Sequence, residues 1–183
     1  EDSGVKGIYN DSTNGYISPF ANICSDVEAI IVRDCTMSGS IKGLFAELDN
    51  LKSVKFDNFD ISNVTDVSYL FYGCGILNSL DFGTFDTSNV TDMSYMFCKC
   101  GQLTELDLSD FDTEKVTDMT SMFEQCFKLG ALDFSNFRTY NLTSMRKMFY
   151  KCRSLSELEL FYFDTSDVTD LYYTFAECTS LTL

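Results

Sequence analysis

The sequence contains no histidine. That removes the commonest general base and the commonest metal ligand together. Positive charge is also scarce: 13 Lys and Arg stand against 28 Asp and Glu, a formal charge of −15. Phosphate recognition needs Lys and Arg, so nucleic acid and anionic membrane are disfavoured as partners. The same charge suits a basic partner, or simply solubility. No apolar run approaches the roughly 18 residues of a spanning helix. No signal peptide stands at Glu1, and the chain stops at Leu183 in mid-unit, so a trimmed fragment of a longer protein is expected. Catalysis would have to rest on a carboxylate pair, or on Ser or Cys with an unusual base. The carboxylates fall in regular rows and no Gly-rich phosphate loop is present, so a non-enzyme without cofactors is expected.

What is present is a repeat. The 183 residues are 45% hydrophobic, which argues against disorder despite the charge. The text FDTSNVTDMSYMFCKCGQLTEL, Phe85 to Leu106, returns with edits every 26 residues. Phe59, Phe85, Phe111, Phe137 and Phe163 keep this spacing, as do Thr65, Thr91, Thr117, Thr143 and Thr169, and Cys74, Cys100, Cys126, Cys152 and Cys178. A fixed period of this length means one supersecondary unit stacked on the last. Residues 1–28 lie outside it and carry Gly4, Gly7, Gly15 and the only proline, Pro19, as expected of an N-terminal cap. The first unit is imperfect: Ile30 and Val32 match Val54 and Phe56 at a spacing of 24, and Cys35 takes the slot of Phe59.

Within one unit, Leu106 and Leu108 alternate with Glu105, Asp107 and Ser109, the period of a half-buried strand. Asp112 begins a turn. Val116, Met119, Met122, Phe123 and Cys126 then form an apolar stripe that predicts a short amphipathic helix, with Thr117 as N-cap and Asp118 in its first turn. Strand, turn and helix within one period predict an α/β fold: a right-handed solenoid of about six coils over residues 29–183, parallel sheet on one face and short helices on the other.

The stretches LDFGTFDTSNVTDMSYMFCKC, LDLSDFDTEKVTDMTSMFEQC and LELFYFDTSDVTDLYYTFAEC resemble the repeat of BspA-like bacterial surface proteins, a leucine-rich-repeat group. The likeness covers Phe45 to Leu183 well and Ile30 to Leu44 loosely. It implies a leucine-rich-repeat solenoid, a cell-surface or secreted bacterial location and a role in adhesion to host or matrix proteins. It implies no catalytic residues.

Among residues that could carry chemistry, the cysteine column is expected to be packing. Zinc would want CxxC-like pairs, and on a helix Cys98 and Cys100 face different ways. Cys98 shares its position with Tyr72, Glu124, Tyr150 and Ala176, so it is expected to be exposed and free. A Cys24–Cys35 disulfide across the cap stays open. Two acidic rows, Asp60, Asp86, Asp112, Asp164 and Asp66, Asp92, Asp118, Asp170, have local duties as turn and helix-end residues, with calcium as the alternative. A third row, Lys55, Asp81, Asp107, Asp133 and Glu159, flanked by Glu105 and Glu157, stands on the outer face of successive strands with no capping duty expected. This row is the candidate ligand face for a basic protein; the alternative is plain solvation. Phe161 and Tyr162 depart from the repeat and are candidate anchors, or cover for a further unit. Arg138, Arg146, Lys147, Lys151 and Arg153 cluster in the fifth unit, as ion-pair partners of neighbouring Asp rows or as a binding patch. Asn10, Asn63, Asn89 and Asn141 fit N-x-[ST], three of them as part of the repeat text. The reading that follows is a protein-binding module; its alternatives are a structural spacer and a calcium-binding repeat.

Overall fold

The computed structural model describes Ser18, Phe20 and residues 26–182. The expected cap, residues 1–28, and the cysteine pair Cys24–Cys35 fall largely outside the described residues. The chain winds as a parallel β-solenoid. Strands β1 (Ala29–Ser40), β2 (Ser53–Asp66) and β3 (Ser79–Asp81) form one parallel sheet, and β4 (Ala131–Leu132) and β5 (Glu157–Leu158) form another. On a neighbouring side, parallel bridges join Asp66, Asp92, Asp118, Ser144 and Asp170 in turn. Turn segments begin at Ile41, Val67, Met93, Met119, Met145 and Leu171, so the described residues complete about five circuits.

The irregular first unit pairs as its spacing indicates. Ile30 lies against Val54, Val32 against Phe56 and Cys35 against Phe59. Two register shifts, between Thr36 and Ser38 and between Gly39 and Ser40, then bring Ser40 opposite Asp66 and restore the full period. Gly39 serves the second shift with a φ of 74°, a backbone state that costs glycine little. In the fourth unit the expected strand around Leu106–Leu108 does not form: its backbone pairs with neither β3 nor β4, although Leu108 still points inward.

The predicted helices are absent among the described residues, and the hydrogen bonds explain why. A helix spends every N–H on the carbonyl four residues earlier and keeps φ negative. Here alternate N–H groups leave the coil altogether. Met119, Ser121, Phe123 and Gln125 donate to the carbonyls of Ser144, Arg146, Met148 and Tyr150 in the next coil, at 2.8–3.1 Å. The groups between them close tight turns: Met122 N–H to Met119 C=O at 3.2 Å, and Cys126 N–H to Phe123 C=O at 3.1 Å. Each turn segment therefore needs left-handed residues, as at Ser121 (φ 53°) and Gln125 (φ 63°), Tyr69 and Gly73, Tyr95 and Lys99, and Lys147 and Lys151. Successive short turns send side chains inward at spacings of three and four, so they copy the apolar stripe of a helix without its backbone.

Thr117 is consequently not an N-cap. Its Oγ1–H donates to the Thr91 carbonyl at 3.1 Å, and Thr65, Thr91, Thr143 and Thr169 make the same bond to the preceding coil. Asp118 accepts from the N–H of Thr120 at 2.7 Å, closing a local turn in place of stabilising a helix end.

One continuous core fills the interior. Its axis is a stack of Phe45, Phe71, Phe97, Phe123, Phe149 and Phe175, with ring centroids 5.5–5.8 Å apart and planes within 12°. Phe20 extends the stack at 6.3 Å from Phe45. Ser18 donates its N–H to Ala46 C=O at 3.1 Å and its hydroxyl to Leu44 C=O at 2.5 Å, meeting the first coil as another coil would. The Phe59 row forms a second, less regular column, stacked where Phe85 meets Phe111 at 5.8 Å and Phe137 meets Phe163 at 6.0 Å. Phe97→Ala would open a cavity between two stacked rings. It is expected to cost about 3–5 kcal/mol in chemical denaturation, whereas an unchanged midpoint would contradict this account of the core.

Candidate functional site

The candidate face is assembled by the coil period itself. β2 presents Lys55, β3 presents Asp81, and one and two coils on come Asp107 and Asp133, with Glu157 and Glu159 beyond. Lys55, Asp81, Glu105, Asp107, Asp133, Glu157, Glu159, Phe161 and Tyr162 are all exposed. The structure thus brings the nine onto the outer side of successive coils. Lys55 lies opposite Asp81 and its ammonium pairs with that carboxylate at 2.7 Å. Phe161 is 87% exposed and meets Tyr162 edge-on at 5.2 Å.

The third row does have a local duty, which corrects the expectation. Asp81, Asp107 and Asp133 each accept a backbone N–H two residues on, from Gly83, Ser109 and Ser135, at 2.8–3.1 Å. The signal was legible: each Asp is followed at the second place by Ser or Gly, as Asp60 is by Ser62. These bonds hold the carboxyls in place and below the ordinary carboxylate range. The Ser109 side chain and N–H act on Asp107, and the Ser135 N–H and side chain on Asp133. For Asp81 the Lys55 ammonium comes first. All three therefore stay ionised well below neutral pH, and their contribution to stability is lost as pH falls through their lowered values. The second oxygen of Asp81 takes the Lys55 ammonium, while Asp107 and Asp133 stay exposed beside their turns.

The missing strand in the fourth unit changes the surface between these residues. A shallow cavity of about 250 Å³ opens over the rings of Phe82, Phe85 and Phe111, rimmed by Asp81, Asp107 and Asp110. A second, of about 440 Å³, lies over Leu80, Leu106 and Leu132 with Glu105, Asp107 and Asp133 at its rim. A third, of about 420 Å³, joins Asp133 to Glu157, Glu159 and Tyr162. Asp107 and Asp133 each border two of the three. Sequence periodicity could not show this relief, because it assigns the fourth unit the same strand as the others.

The remaining rows are scaffold. Asp60, Asp86, Asp112 and Asp164 each accept the N–H two residues on at 2.9 Å. Among the described residues no three Cys, Asp or Glu groups are grouped so as to hold a metal ion. Asn89 and Asn141 donate to the carbonyls of Ser62 and Glu114 in the preceding coil, Asn63 reaches the Ser62 hydroxyl at 3.4 Å, and Asn10 lies outside the described residues. In the fifth unit, Arg146 pairs with Asp170 of an Asp row at 3.6 Å, as the ion-pair reading expected, and Arg153 pairs outside the rows with Glu177 at 3.1 Å. Arg138 differs: it turns from the Asp row to the Ser135 and Phe137 carbonyls and to the Tyr162 ring.

The cysteine column is packing, buried at Cys74, Cys100, Cys126 and Cys152 and partly exposed at Cys178, with a bond of its own. Cys74, Cys100, Cys126, Cys152 and Cys178 each point a thiol at a phenylalanine carbonyl 29 residues back, at 2.9–3.1 Å. Cys98 overturns the expectation of exposure: it is 2% exposed, and burial, with the nearby Glu124 charge, pushes its thiol up to about 12. It lies inward because its segment is a stacked turn, in which a position on the outer side of a helix becomes covered by neighbouring coils.

Residues 39–156 and 127–183 match the family described as "Mycoplasma protein of unknown function, DUF285". The chain belongs to this family. No curated protein and no solved structure matches it. The two DUF285 matches together take in every residue from position 39 onward, so the candidate face and all the strands after β1 lie inside the family's own text. Among the described residues no helix is long and apolar enough to cross a membrane.

Two measurements check this description. Thiol labelling of the native protein is expected to reach Cys35 and Cys178, the partly exposed cysteines, well before Cys98; the reverse order would contradict the burial of Cys98. Asp92 is half-buried between Asp66 and Asp118, and burial first, then those charges, raise its carboxyl above the ordinary value. A carboxyl raised on folding binds its proton more tightly in the native state, so its stabilising effect is present at low pH and lost as pH rises through the folded value. Asp92→Asn keeps the oxygen that accepts from Ser94 N–H and removes the charge. Its melting temperature is expected to exceed the parent's at pH 7 by a few degrees at most, with the gain vanishing in mildly acidic buffer.

Proposed function

We propose that this chain is a non-catalytic protein-binding module of a larger bacterial surface protein, engaging a basic partner through the acidic strip. The observation that supports it is the pairing of fixed carboxylates with relief: Asp107 and Asp133 sit at the shared rims of three shallow apolar-floored cavities on one exposed face. An aliphatic lysine or arginine stem suits the Leu and Phe floors, and its charged head suits the rims. The Lys55–Asp81 pair shows an exposed ammonium held by a carboxylate of the same row. Charge on such a face chiefly steers approach and selects partners, while the exposed rings of Phe161 and Tyr162 offer contact area. Adhesion and a surface location follow from the resemblance to BspA-like repeats.

The test uses an oligolysine peptide as probe. It is expected to bind with strong salt dependence, and Asp107→Lys with Asp133→Lys is expected to weaken it about tenfold or more. Asp60→Lys with Asp112→Lys, likewise exposed but on another row, should leave binding near the parent's. Equal losses in both variants would reduce the effect to net charge, and no loss in the first would remove the sheet face from consideration. Failure of any basic probe to bind would favour the spacer reading.

A further inference from the structure

The fifth turn segment inverts the charge of the molecule. Arg146, Lys147, Lys151 and Arg153 occupy positions that carry Ser68, Tyr69, Gly73 and Gly75 in the second unit. These cations are held in place. The Arg146 guanidinium lies 4.4 Å from the centroid of the Tyr172 ring, Lys147 and Lys151 flank Tyr150 at 5.5 and 4.8 Å, and Arg153 lies 5.5 Å from Phe127. Asp170 and Glu177 answer part of the charge from the next coil. Glu124, a third carboxylate nearby, is buried and hydrogen-bonded by Ser121 and Gln125. Tyr172, Tyr173 and Phe127 remain exposed around the group. The result is a positive aromatic patch on a chain of charge −15.

A polyanion such as nucleic acid or an anionic membrane would meet this patch on one coil and repulsion everywhere else. A compact acidic surface suits it better, and the chain itself carries one. The strip Glu105, Asp107, Asp133, Glu157 and Glu159 stands on a different side of the coil. Among the described residues, every ion pair of the four cations goes to Asp170 or Glu177 and none reaches the strip. Where opposite charges do face each other across coils they pair, as Lys55 with Asp81 at 2.7 Å and Arg33 with Asp57 at 3.2 Å. The two faces thus do not meet within one molecule, and the four cations outnumber the two carboxylates, Asp170 and Glu177, that pair with them. We propose that the basic patch receives the acidic strip of a second copy, so that chains associate side by side. This rests on the reading of the sheet face as the surface for a basic partner, and names that partner. Because the two surfaces differ, the contact is heterologous and leaves one of each kind free, giving a concentration-dependent series of species in place of a closed dimer. At physiological salt, charges beyond about 8 Å are screened, so local complementarity outweighs the net repulsion of two acidic chains.

Sedimentation velocity across a wide concentration range at physiological and high salt tests this. The average mass of the parent is expected to rise with concentration, and the rise to disappear at high salt. Lys147→Glu with Arg153→Glu, and separately Asp107→Lys with Asp133→Lys, are each expected to weaken association tenfold or more. Mixing the two variants should restore it, since the intact strip of one then meets the intact patch of the other. Oligolysine binding is measured on the same samples. A parent monomeric throughout that still binds oligolysine overturns self-association and leaves the sheet-face reading standing; loss of both overturns both. Association that survives either reversal also overturns the proposal. Circular dichroism confirms folding, and if the glutamate variant fails to fold, Lys147→Gln with Arg153→Gln replaces it and its association is read in the same way.

Discussion

The structure depends on hydrogen bonds that leave the coil. In every turn segment but the last of the described residues, alternate backbone N–H groups donate to carbonyls of the next coil, and those between close local turns. A single coil therefore cannot satisfy its own backbone, and buried backbone groups without partners are costly. Stability has to arise between neighbours, as it does in repeat proteins generally. Side chains extend the same logic. The threonine hydroxyls and the cysteine thiols both donate to carbonyls of an earlier coil, one ladder at the surface and one in the core. The phenylalanine stack along the axis adds dispersion and burial to these directional bonds.

That arrangement explains why so much of the repeat text is silent about function. Phe, Thr, Cys and most Asp positions are each assigned to a bond or contact that recurs in every coil. The acidic strip on the sheet face and the basic patch on the fifth turn segment lie at other positions. Even on the strip, Asp107 serves two ends: one oxygen closes a turn with Ser109 while the carboxylate borders two cavities. A residue can be structural and still supply a site, because an Asx turn holds a carboxylate still without neutralising it.

The charge distribution then acquires meaning from geometry. A net charge of −15 says only that basic partners are favoured. Winding the chain separates that charge into an acidic strip running across coils and a positive group confined to one coil. Two surfaces of opposite sign on different sides of one solenoid make partner choice a matter of orientation as well as of charge.

Periodicity alone identified the solenoid, its parallel pairing, the irregular first unit and the membership of the outward row, because a strict 26-residue period places like residue on like. It also identified burial of the phenylalanine and cysteine columns. It could not decide the turn segments. An apolar stripe at spacings of three and four is satisfied equally by a helix and by stacked short turns, and only the presence of a neighbouring coil with free carbonyls tips the choice. From that one decision follow the left-handed residues at Ser121 and Gln125, the burial of Cys98 and the replacement of the Thr117 cap by an inter-coil bond. Tertiary structure likewise decided the unpaired fourth strand and the cavities beside it, since Leu106 and Leu108 keep the strand pattern in sequence. Local spacing determines which side chains face inward; contact between coils determines how the backbone gets them there.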